Sequence, residues 1–198
     1  DYNKTKRCRI MLAEDNNSIT NIDRKGKKVI GWNFTPNNKI QKELHHFKND
    51  GKDFIIKLSD KEIELLAING SSRLNFKSSE EIITKNNIII DNNKNLLFIN
   101  KGNKLLICNL DGSTSEISIE SLDTNSCLGF YNSTNQLLFS SNNELFFLDN
   151  NFNRVNSIVF NNEIKSINTY SDYIIIQTEK EIILLKGNAI VKGTPLKY

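Results

Sequence analysis

Short apolar runs recur along the chain at a nearly constant interval. They are Arg9-Ile10-Met11-Leu12-Ala13, Phe54-Ile55-Ile56-Lys57-Leu58, Leu96-Leu97-Phe98-Ile99, Leu137-Leu138-Phe139 and Tyr173-Ile174-Ile175-Ile176. Their starts at 9, 54, 96, 137 and 173 are spaced by 45, 42, 41 and 36 residues. A polar turn follows each run, such as Lys101-Gly102-Asn103 or Ser141-Asn142-Asn143. A second run then begins: Ile19 to Ile22, Ile63 to Ile68, Leu105 to Leu110, Leu145 to Leu148, Ile182 to Leu185. Next comes a tight-turn signal: Asp23-Arg24-Lys25-Gly26, Asn69-Gly70, Asp111-Gly112, Asp149-Asn150-Asn151 or Lys186-Gly187. Asn, Asp and Gly tolerate the positive φ that hairpin turns demand.

Weaker apolar stretches follow at Val29–Phe34, Arg73–Phe76, Glu116–Ile119, Val155–Phe160 and Ala189–Val191. A leading strand precedes units two to five at Leu44–Phe47, Ile88–Ile90, Cys127–Tyr131 and Ile164–Tyr170. The runs are rich in Ile, Phe and Tyr, which suit a pleated, half-buried surface. Four antiparallel strands every ~40 residues are the pattern of a β-propeller blade. The expectation is therefore an all-β propeller of about five four-stranded blades, alone or as part of a larger propeller. Its units run approximately over 1–42, 43–86, 87–126, 127–162 and 163–198, in one domain or fragment.

Unit one lacks its leading strand, so either the chain's far end supplies it or a blade is cut. Two rivals compete with this reading. Ile40, Leu44 and Phe47 at i, i+4 and i+7 fit a short helix within 37–48. A β-sandwich or β-solenoid would use similar hairpins, but sandwiches lack a fixed period and solenoid coils are shorter, ~20–30 residues.

Composition narrows the classes. Of 198 residues, 38% are hydrophobic and the net charge is +3, too apolar and too weakly charged for a disordered chain. The basic cluster Arg24-Lys25-Gly26-Lys27-Lys28 reads as a solvated hairpin tip rather than a nucleic-acid surface. The sequence holds 31 Asn, a bias that fits an AT-rich genome and devalues glycosylation-like triplets such as Asn132-Ser133-Thr134. No apolar run approaches the ~18 residues of a membrane span. The polar opening without an initiator Met reads as a trimmed or excised piece.

Candidate chemistry is sparse. Cys8, Cys108 and Cys127 lack metal-ligand spacing and read as buried or half-buried free thiols. His45 and His46, adjacent on a strand, face opposite sides. Glu62 and Glu64 share a face and read as a solvent-facing row. No catalytic residue, cofactor or metal is expected. Trp32 reads first as an inter-blade packing residue. Partner- or ligand-contacting candidates are Trp32, Asn37, Asn38, Tyr131 and Tyr170, with the loops Thr35–Lys39 and Asp123–Ser126.

The segment Ile22-Asp23-Arg24-Lys25-Gly26-Lys27…Gly31-Trp32, with Leu110-Asp111-Gly112 and Leu148-Asp149-Asn150-Asn151, resembles the blade signature of quinoprotein-type (PQQ-like) propeller repeats. The opening Asp1-Tyr2-Asn3-Lys4, followed by Arg9-Ile10-Met11-Leu12-Ala13, is similar to VCBS-like repeats. The combination resembles propeller proteins of the Bacteroidetes cell envelope. The repeat architecture without a catalytic constellation reads as a non-catalytic scaffold with a protein partner, and the weak net charge as one without nucleic acid. The resemblance implies an extracytoplasmic setting peripheral to the envelope. The alternative is a carbohydrate or small-molecule binding module, or the accessory propeller of a larger enzyme. Tyr131, Trp32 or Tyr170 would then stack on a sugar.

Overall fold

The computed structural model describes residues 9–35, 39–41, 44–85 and 88–197. Asp1-Tyr2-Asn3-Lys4, Cys8, Asn37 and Asn38 lie outside them. Among the described residues there are nineteen strands and no helix, in two compact units, Asp1–Thr84 and Lys85–Tyr198.

In the first unit, β1 (Arg9–Ala13) and β2 (Ile19–Asp23) form an antiparallel hairpin. A four-stranded antiparallel sheet follows, in order β3 (His45–Asn49), β4 (Lys52–Leu58), β5 (Glu62–Leu66) and β6 (Ser72–Lys77). Asp50 and Gly51 join β3 to β4 with φ of 46° and 74°. This is the two-residue turn whose twist matches paired strands.

The second unit repeats the meander. One sheet runs β7 (Ile89–Ile90), β8 (Leu96–Ile99), β9 (Lys104–Cys108), β10 (Thr114–Ser118). The next runs β11 (Leu128–Tyr131), β12 (Gln136–Ser141), β13 (Glu144–Leu148), β14 (Arg154–Val159). The last runs β15 (Ile164–Tyr170), β16 (Tyr173–Thr178), β17 (Glu181–Lys186), β18 (Ala189–Ile190), with β19 (Leu196–Lys197) also on β17. The chain's far end thus pairs within its own sheet.

The middle strands explain the continuous apolar runs. β4, β5, β8, β9, β12 and β13 are buried on both faces over nearly their whole length, whereas the outer strands β10 and β14 are mostly exposed. In the second unit Leu138, Leu145 and Phe147 pack against Ile164, Ile167 and Ile176 of the next sheet. Approach there is close enough to require Gly129, since a Cβ on it would sit 2.5 Å from Ile167 Cγ2.

Two expectations need correction, and one rival reading falls. Four sheets have four or five strands, and unit one, expected without its leading strand, has two among the described residues. Its Val29–Phe34 stretch is no strand, because after one bridge, Ile22 to Lys28, the chain turns at Gly31 (φ 80°) and leaves the sheet. The helical stripe ending at Phe47 fails too: His45–Asn49 pairs residue by residue with β4. Glu64 is not solvent-facing. It is buried opposite Lys57, with Nζ to Oε2 at 3.1 Å, because β5 is covered on both faces and Lys57 supplies the counter-charge.

Candidate functional site

The residues singled out from sequence are divided between the two units and the residues outside the description. Trp32 leaves the β2 turn and packs with Phe34 against Ile19, Ile55 and Leu66, its indole N–H donating to the Ile19 carbonyl at 2.5 Å. Asn37 and Asn38 fall outside the described residues. Tyr131 is buried in the second unit's core; its hydroxyl donates to the Asp172 carbonyl (3.0 Å) and accepts from the Gly187 N–H (3.1 Å). Tyr170 ends β15 and is 77% exposed. The Asp123–Ser126 loop is a closed turn, with Asp123 Oδ1 accepting from the Asn125 and Ser126 N–H groups.

Groups suited to nucleophilic or acid–base work are dispersed or committed. Burial pushes the Cys108 thiol up to about 12 and raises the Cys127 thiol as well. Both are therefore thiols, not thiolates, near neutral pH. His46 Nε2 lies 2.8 Å from Asp53 Oδ1 on the β3–β4 hairpin.

A different place in the second unit does bring chemistry together. In the β7–β10 and β11–β14 sheets, the turns β7–β8, β9–β10, β11–β12 and β13–β14 lie at one end, by the alternation of an antiparallel meander. A cleft of about 260 Å³ opens between the two sheets at that end. Its floor is apolar, with Leu97, Ile107, Phe130 and Leu137. The rim holds five carboxamides, Asn93, Asn95, Asn109, Asn135 and Asn150, with Asp91 and Asp149. None of the described lining residues is Lys or Arg.

The acidic side chains shape the turns. Asp91 takes the backbone N–H of Asn95 on Oδ1 (2.8 Å) and its Nδ2 on Oδ2 (2.9 Å). Asp149 Oδ1 accepts from the N–H groups of Asn153 and Asn151, each at 2.9 Å. These bonds, Asn153's first, hold the Asp149 carboxyl below the usual carboxylate range.

Phe152 completes the lining. It occupies the left-handed position of the β13–β14 turn, φ 63°, with its N–H donating to the Asp149 carbonyl at 3.0 Å. The three corresponding turns close the same way, Gly26 to Asp23, Gly70 to Ala67 and Gly112 to Asn109, and each uses glycine. Phe152 is the one aromatic residue with positive φ among the described residues. Sequence reading took Asp149-Asn150-Asn151 as the turn and passed over it. Aligning the four turns would have found it, as a Phe in a glycine column.

No protein-family model and no curated protein matches the sequence. Solved structures do match. A virginiamycin B lyase from Staphylococcus aureus aligns over 94% of this chain and 66% of its own, at 15% identity and a TM-score of 0.67. BBS1N, in complex with ARL6DN, aligns over 96% and 67%, at 13% identity and 0.69. Sqt1 of Saccharomyces cerevisiae aligns over 96% and 54%, at 10% identity and 0.61. The chain spans just under two thirds of the length of the lyase structure. These neighbours are propeller proteins. The fold is a β-propeller. At such identities the likeness carries the fold alone, and each meander above is a blade.

Proposed function

We propose that this chain is a non-catalytic propeller module that takes a protein partner along the free edge of β14, within an assembly of the cell envelope. The observation that carries this is the character of that edge. β14 is six residues long, pairs with β13 alone among the described residues, and exposes Val155 (51%) and Val159 (66%). An unpaired edge presents N–H and C=O groups to any extended segment, and proteins usually blunt one with Lys, Pro or brevity. β18 is two residues long and β10 carries Glu116 at its centre, whereas on β14 the one charge, Arg154, and the one bulge, at Val155, both fall at its start and leave Asn156–Val159 paired in register with β13.

Two further points support the reading. The fold neighbours include BBS1N, whose structure is of a complex with ARL6DN. The combined resemblance to PQQ-like and VCBS-like repeats, similar to propeller proteins of the Bacteroidetes cell envelope, favours an extracytoplasmic setting. Among the described residues no helix is long and apolar enough to cross a membrane.

Affinity capture from native membranes with the wild-type chain and a Val155→Lys, Val159→Lys variant in parallel tests it. A stoichiometric partner held by the first and lost by the second is the expected result. Equal recovery by both, or no partner with either, contradicts it.

A further inference from the structure

The cleft between the β7–β10 and β11–β14 blades is chemically unlike the β14 edge. Its parts are an apolar floor, an aromatic ring at the mouth and a rim of carboxamides. Each carboxamide offers one donor group and one acceptor. A hydroxyl is likewise both. A ligand that shows hydroxyls around its perimeter and C–H groups on its face matches all three parts at once.

Charge narrows the class. Asp91 and Asp149 line the cleft, and no described lining residue is Lys or Arg. Phosphates, sulfates and carboxylates are therefore disfavoured. Both carboxylates are oriented by their own turns, through Asn95 and through Asn151 and Asn153. Asn135 Nδ2 donates to Asn150 Oδ1 at 2.5 Å, tying the β11–β12 turn to the β13–β14 turn. The rim is thus held before any ligand arrives. A volume of about 260 Å³ is a little below the roughly 300–1,000 Å³ typical of sites for drug-sized ligands, so the cleft suits a single ring.

Phe152 supplies the observation that the fold does not otherwise require. Three corresponding turns meet the left-handed backbone with glycine, and this one meets it with a half-buried aromatic whose side chain lines the cleft. Strained backbone of this kind persists where the side chain it presents has a use.

We propose that this cleft binds a neutral sugar ring, free or at the end of a glycan, with Phe152 as the stacking face and the Asn rim reading the hydroxyls. Phe130 of the same blade also lines the cleft, and Asn93 and Asn109 stand on the opposite blade. The reading does not rest on the β14 edge: Val159→Lys should leave sugar binding unchanged.

Saturation-transfer NMR of the full chain with glucose, galactose, mannose, fucose and N-acetylglucosamine tests the free-sugar arm, and a printed glycan array tests the glycan-terminus arm. The expected result is transfer to ring C–H protons of at least one sugar, or capture by glycans sharing one terminal sugar. Glucose 6-phosphate should give a weaker signal than glucose. Phe152→Gly restores the residue used by the sister turns, so it should fold and bind at least tenfold more weakly; Phe152→Tyr should keep binding. Asn93→Ala, on the exposed rim, should weaken binding several-fold and decides the matter if Phe152→Gly does not fold. No binding in either arm, binding unaltered by Phe152→Gly and Asn93→Ala, or a preference for the phosphorylated sugar would overturn the proposal.

Discussion

Glycine and phenylalanine at one turn position have opposite costs, and the four homologous turns make the comparison within a single chain. Holding an L-residue in the left-handed region costs roughly 1–2 kcal/mol. Exchanging the residues gives a matched pair: Gly112→Phe should lower the melting temperature by about 2–8 °C, at ~2–4 °C per kcal/mol for a chain of this size, whereas Phe152→Gly should melt at or above the wild-type temperature. Calorimetry of both variants checks it. Gly70 is under a second constraint, since a Cβ there would lie 2.8 Å from the Phe34 nitrogen and 3.1 Å from the Trp32 ring. The buried Lys57–Glu64 pair adds another prediction. Lys57→Met alone strands a buried carboxylate and should cost ~3–5 kcal/mol, while Lys57→Met with Glu64→Leu should cost far less. Urea denaturation of the two variants separates these outcomes, and equal losses would contradict the pairing.

At the scale of elements, the turns of three blades are fixed by aspartates. Lys27 and then Lys25 donate backbone N–H groups to Asp23, and the Ser113 hydroxyl and N–H both donate to Asp111. With Asp149, all three carboxyls are held below their ordinary values. A depressed folded pKa means stability that is present above the unfolded value, ~3.9, and lost as pH falls through the folded one. The Lys27, Ser113 and Asn153 amide resonances should therefore titrate with midpoints below ~3.9. Midpoints at or above that value would contradict the hydrogen bonds. The hairpins themselves were readable in sequence, because Asn-Gly and Asp-Gly between apolar runs state both the turn and its geometry. Val29–Phe34 was not, since Trp32 and Phe34 pack on Ile55 of β4 and Leu66 of β5 rather than extend a sheet, and Ile30 is fully exposed. Glu64 misled for a related reason: alternating charge marks a solvated face only when one side of the strand is open, and the third strand of a blade is closed on both. The cleft was illegible because its rim comes from four turns on two blades, and in a chain with 31 Asn no single one stands out.

For the whole molecule, the account rests on one organising fact, that successive ~40-residue stretches fold into separate antiparallel meanders. Every site described above follows from it: the β14 edge exists because each meander ends on an outer strand, and the cleft exists because neighbouring meanders present their turns at a common end. The most direct measurement is the cross-strand contact map of the labelled chain by NMR. It should place Leu97 opposite Ile107 and Phe139 opposite Phe146, with β12 contacting only β11 and β13 as hydrogen-bonded neighbours. Runs of sequential amide–amide contacts through 128–159, or β12 hydrogen-bonded to β8, would contradict it.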